Sequence, residues 1–178
     1  MTLEVFDQHL AAWQPFFITL AGIGATLAGL LFVAISLHPA NKHEEAKLNL
    51  RRLAEHTFAD LVQVLFLAVF FIAPGQRPSF YATATILTVV LGLREPARRL
   101  WEALRDHDHA IHREHIIRRM WMSILGRAFL CAGGVALFLA HDSAFAVEQD
   151  MILIFSGSLV LLIAAMRNAW FLMLQEAV

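Results

Sequence analysis

Long apolar runs and short polar breaks alternate along this chain, and most of the charged residues lie in the breaks. Residues 15–37 carry no charge, and a run of that length covers a hydrocarbon core of ~30 Å as an α-helix. Pro15 suits the first turn of such a helix. A second run covers residues 57–73 and stops at Pro74-Gly75-Gln76-Arg77-Pro78, a pentad of turn formers too short for anything but a tight return. The third, residues 80–93, is then the other arm of a hairpin. It is rich in Thr, Val and Ile and short for a crossing, so it must tilt little or borrow length from its flanks. Residues 120–140 and 151–174 form the fourth and fifth runs, parted by the polar stretch from His141 to Asp150. The pattern predicts an all-α, polytopic membrane protein of about five transmembrane helices in a single domain over residues 1–178.

Two further segments carry helical periodicity. Leu3, Phe6, Leu10 and Trp13 recur at helical spacing ahead of the first run, which suits a short helix on the membrane surface or a frayed end. Between runs three and four, Pro96-Ala97-Arg98-Arg99-Leu100-Trp101-Glu102-Ala103-Leu104 forms a basic amphipathic pattern. It predicts a helical loop that touches anionic lipid or extends the third helix.

Charge sets a direction. Lys42, Lys47, Arg51 and Arg52 lie between the first two runs, and Arg94, Arg98, Arg99, Arg105, Arg113, Arg118 and Arg119 between the third and fourth. Loops rich in Lys and Arg stay in the cytoplasm, so these two are expected inside. The other side carries Arg77 against Glu4, Asp7, Asp142, Glu148 and Asp150, giving an outer N-terminus and an inner C-terminus. Trp13 then falls at the outer interface and Trp121 and Trp170 toward the inner one, where amphipathic indoles prefer to sit.

Composition agrees with a lipid-solvated chain: 58% of residues are hydrophobic and 16% charged, against roughly 45–50% and 25% in soluble domains. The formal charge of −1 hides this segregation and gives no argument for a nucleic-acid partner. The single cysteine, Cys131, permits no intrachain disulfide and is expected to serve packing. The residues ahead of the first run lack the basic segment of a cleavable signal, so that span is expected to be retained.

Three features are candidates for function. The first is a stripe of small residues on the first run, Ala21, Gly22, Ala25 and Gly29, with Thr26 beside it. Small residues at four-residue spacing let helix backbones approach closely, either within the chain or between subunits. The second is a set of polar groups within apolar runs: Asp60 and Gln63, Arg127, and Arg167 with Asn168. At ~1.5 Å per residue, Asp60 lies about 5 Å and Arg127 and Arg167 about 10 Å from the cytoplasmic ends of their runs. A lone charge there costs a few kcal/mol, so Asp60 is expected to pair with Arg127 or Arg167, as a static ion pair or as part of a conduction or gating element. The third is the run from His107 to His115, where Asp108, His112 and His115 share a helical face with His109 alongside. That spacing suits Zn²⁺, a pH-responsive patch or a plain solvated face, and the arginines around it oppose a bound cation. No catalytic motif occurs, and a non-enzyme without a resident cofactor is expected.

The stretch Ala21-Gly22-Ile23-Gly24-Ala25-Thr26-Leu27-Ala28-Gly29-Leu30-Leu31-Phe32-Val33-Ala34-Ile35-Ser36-Leu37 resembles the opening span of an uncharacterised family of small bacterial polytopic membrane proteins. The Arg52 to Glu55 region, Ile72-Ala73-Pro74-Gly75-Gln76 and Asn168-Ala169-Trp170 extend the resemblance. Some members of that family are labelled modulators of a membrane-bound AAA protease. The resemblance implies a helical fold in the bacterial cytoplasmic (inner) membrane and assigns no catalytic residue.

Together these features lead to the expectation of a homo-oligomeric membrane protein forming a small channel or permeation pathway between its subunits, with Asp60, Arg127 and Arg167 lining or gating its cytoplasmic half. The competing expectations are an accessory or regulatory protein, whose cytoplasmic loop meets a partner such as a protease, and a metal- or pH-sensing module built on the histidine run.

Overall fold

A computed structural model describes the backbone of residues 3–37, 44–105, 110–139 and 144–176, and the side chains of residues 6–36, 51, 53–94, 97–98, 121–139 and 146–172. Every described element is a helix: α1 (Leu3–Leu37), α2 (Glu44–Ile72), α3 (Pro78–Arg105), α4 (Ala110–Leu139) and α5 (Ala144–Glu176). α1, α2, α4 and α5 each contain a segment long and apolar enough to cross a membrane. Among the described residues α3 is not one of these four; threonines and Arg94 interrupt its apolar stretch. The surface between the helix ends is apolar, with Phe32, Leu91, Leu139 and Trp170 all more than 60% exposed. An aqueous surface would not carry so continuous an apolar cover.

α2, α3, α4 and α5 pack in a ring, each against the next and α5 against α2. α1 lies outside this ring, against α2 and α5. Phe6 and Phe17 of α1 reach Tyr81 and Phe71, with ring centroids 5.6 and 4.5 Å apart, and fix its first half to the bundle. Trp13, expected as an interfacial anchor, also packs on Phe155 of α5 at 5.7 Å. The turn between α2 and α3 needs Gly75 at a φ of +72°, a conformation other residues adopt only with strain. The Tyr81 hydroxyl closes that turn by donating to the Ala73 carbonyl at 2.6 Å.

One expected boundary changes. α1 does not start at Pro15 but runs through it from Leu3, because Phe6 and Leu10 continue its buried face and are themselves buried. Pro15 removes one backbone hydrogen bond, a loss that side-chain packing on both sides of it offsets. The Pro96–Leu104 segment is the continuation of α3, one of the two readings its pattern allowed. Cys131, expected in the packing, is exposed on the outside of α4.

A candidate polar centre inside the helix ring

The ring closes around an ion pair that joins two helices facing each other across it. Asp60 of α2 is fully buried and Arg127 of α4 is 2% exposed. Arg127 Nη2 donates to Asp60 Oδ1, and Arg127 Nε donates to Gln63 Oε1 at 3.2 Å. Asp60 and Gln63 are three residues apart and therefore share a face of α2. Their two oxygens meet the side-on edge of one guanidinium, a bidentate arrangement that lysine cannot form. Ser123, one turn before Arg127 on α4, donates to Asp60 Oδ2 at 2.7 Å. α4 thus grips the carboxylate at both oxygens.

Local geometry explains why Arg127 reaches a partner nearer the end of its helix. Helical side chains lean toward the N-terminus, and the N-termini of α2 and α4 lie at the same end of the ring, hereafter the basic-loop end. The long Arg127 side chain therefore spans the offset of about 5 Å between the two positions. His56, one turn before Asp60, places Nε2 3.7 Å from Asp60 Oδ2 on that side. α3 contributes an absence of side chain: a Cβ at Gly92 would fall 2.2 Å from Gln63 Oε1 and 3.0 Å from Arg127 Nε. Gly92 makes the slot in which the amide and the guanidinium lie.

The centre is not fully satisfied. Arg127 Nη1 and Gln63 Nε2 are buried donors with no hydrogen-bond partner. A buried donor left in this way costs roughly 1–3 kcal/mol, which a water or another acceptor removes. Toward the other end of the ring, where α2 turns into α3, Asp150 of α5 is 4% exposed and its Oδ2 has no partner. Thr85 and Thr88 of α3 are also buried.

The remaining candidates from the sequence are dispersed. Arg167 is exposed on the surface of α5, apart from the pair, while its neighbour Asn168 is buried. Of the α1 stripe, Ala21 is half-buried, whereas Gly22, Ala25 and Gly29 face outward. A Cβ at Gly22 or Gly29 would meet nothing within 4 Å, and Thr19, Gly22, Ile23, Thr26 and Leu27 line a shallow apolar groove. Asp108 and His109 lie outside the described residues, as do the side chains of His112 and His115. Among the described residues no three His, Cys, Asp or Glu side chains converge on a metal position.

Sequence reasoning passed over Ser123, His56, Gly92 and Asp150. The signal for the first two was spacing: each stands four residues before a charged residue already singled out, on the same helical face. Gly92 gave no such signal, because its importance lies in the side chains of two other helices. The chain matches no protein-family model, no curated protein and no solved structure.

Proposed function

We propose that the protein is a homo-oligomeric membrane protein of the bacterial inner membrane, and that each chain provides a permeation pathway through its own helix ring. All five helices cross the bilayer, with the N-terminus outside and the basic loops in the cytoplasm. The packing of α3 along both α2 and α4, from Tyr81 to Gly92, supports its crossing despite its weaker hydropathy. The observation that carries the reading is the Asp60–Arg127 pair on the ring axis, with unpartnered donors beside it. A hydrocarbon-filled core needs no such group, and ionisable residues within spans mark routes for ions or protons.

On this reading the pathway runs inside a chain rather than between subunits, a choice favoured by the enclosure of Asp60 and Arg127 by α2, α3 and α4. The outward face of α1 is available for association, in keeping with small residues at helix contacts. The same face would seat a foreign helix, so it also favours the accessory reading suggested by the resemblance to proteins labelled as protease modulators.

The test is reconstitution of the purified protein in liposomes under imposed gradients of protons, K⁺ and Cl⁻. The wild type dissipates at least one gradient, and Asp60→Asn, checked for unchanged melting, lowers that flux about tenfold. Protein that assembles but carries none of the three species refutes the pathway and leaves the accessory reading.

A further inference from the structure

We propose that the permeant of this pathway is the proton, and that Asp150 is its relay at the turn end, joined to Asp60 by water along Thr85 and Thr88. The inference rests on the pathway reading and names what passes and by which residues.

The register of the helices puts these groups on one route. A Cβ at Gly133 would lie 3.1 Å from the Asp150 carbonyl oxygen, and one at Gly134 would lie 3.2 Å from the Thr85 side chain. Asp150 and Thr85 therefore flank α4 at a single level. Arg127 stands seven residues earlier on α4, about 10 Å along the axis, beside Gly92. Thr88 lies one turn from Thr85 and one turn from Gly92, between the two levels. The backbone levels of Asp150 and Arg127 thus stand about 10 Å apart along the axis, with an acceptor without a partner, Asp150 Oδ2, at one and donors without partners at the other. The proposed relay needs a file of waters across that interval, entering between the packed side chains beside the Thr85 and Thr88 hydroxyls. Thr85 and Thr88 donate to backbone carbonyls at 2.8 Å, which leaves their oxygen lone pairs to accept from such waters.

The centre itself selects the proton. The groups facing the Asp60 carboxylate are His56 from α2 and Ser123 and Arg127 from α4. A hydrated cation meets the Arg127 charge and a hydrated anion meets Asp60, and the core around them is filled by Val64, Leu67, Val89 and Leu130. A proton alone can neutralise the carboxylate without occupying space. Asp150 takes up a proton from the turn end and releases it to the water file. Asp60 Oδ2 accepts it, forming a neutral carboxyl and weakening its hold on Arg127. His56 Nε2 then takes the proton as imidazolium and passes it to the basic-loop end, and the Asp60 carboxylate pairs with Arg127 again. Each transfer moves one proton and no electrons.

The experiment uses the full-length protein in liposomes: proton flux is read with an entrapped pH dye and valinomycin with K⁺ to clamp the potential, and K⁺ and Cl⁻ fluxes are read in separate liposomes without valinomycin. Wild-type protein carries protons and neither K⁺ nor Cl⁻. Asp150→Asn lowers proton flux about tenfold, and Asp150→Glu, which keeps the carboxyl, stays within about threefold of wild type. Thr88→Val removes one hydroxyl at constant shape and lowers proton flux severalfold. Comparable K⁺ or Cl⁻ flux overturns the proton assignment while leaving the pathway intact. Proton flux unchanged in both Asp150→Asn and Thr88→Val overturns the relay in the same way. Where Asp150→Asn fails to assemble, Thr88→Val alone decides. Absence of all flux overturns the pathway reading and this inference with it.

Discussion

Gly126, Gly133 and Gly157 lie where α4 meets α5, and Gly22 and Gly29 lie on α1; all five stand in apolar helical sequence. A Cβ at Gly157 would come within 2.8 Å of the Gly126 carbonyl oxygen, and one at Gly133 within 2.7 Å of Ile154, whereas Gly22 and Gly29 have open space above them. The first group holds one chain together, since it sets how closely two helices of the ring approach. The second meets no neighbour among the described residues. Glycine in a membrane helix therefore carries two meanings, and the difference lies in whether a neighbour backbone is present, which composition does not record.

The sharpest way to break this contrast is Gly157→Val. The contact it invades is backbone rather than the mobile end of a side chain, so the helices must separate. A loss of about 3 kcal/mol or more is expected, at the upper end of overpacking costs, measured as a drop in unfolding free energy in mild detergent. A change below about 1 kcal/mol would mean that α4 and α5 yield easily there.

Gly92→Ala sharpens the contrast at the polar centre. The added methyl meets the amide end of Gln63, which can swing away but then gives up its bond to Arg127 Nε. The expected cost is about 1.5–3 kcal/mol, the worth of one hydrogen bond to a charged group. A double-mutant cycle with Gln63→Ala checks it: most of the cost should vanish once Gln63 is absent. Equal costs in both backgrounds would place the clash elsewhere.

The same logic explains what the sequence makes legible. Long apolar runs announce the helices, because the need to satisfy backbone groups in lipid leaves few alternatives. Asp60 and Arg127 stand out because a charge in an apolar run is costly wherever it lies. Choosing Arg127 over Arg167 as the partner is another matter: both sit in similar surroundings along the chain, and only helix rotation turns one inward and the other outward. The start of α1 was obscured by Pro15, whose local preference for a first turn is overridden by Phe6 and Leu10 packing on the bundle. Gly126 and Gly133, seven residues apart, share a helical face with Leu130, a pattern present in the sequence but overshadowed by the denser stripe on α1. Asp150 reads as part of a polar loop until α5 is seen to begin at Ala144 and carry it into the core.

Gly22→Val and Gly29→Val supply the smallest effect on the chain itself and the clearest separation of the two meanings. Neither added side chain meets a neighbour, and valine in place of glycine relieves a helix-propensity penalty, so stability of the single chain should change by no more than about 0.5 kcal/mol. Association is the quantity that should respond, because a branched side chain on that face keeps a second helix from approaching the α1 backbone. Native mass measurement in mild detergent should show a shift to the monomer for the double variant, with unfolding unchanged. An unchanged oligomer would move the subunit contact away from α1, while a destabilised single chain would show that the outward stripe belongs to the fold after all.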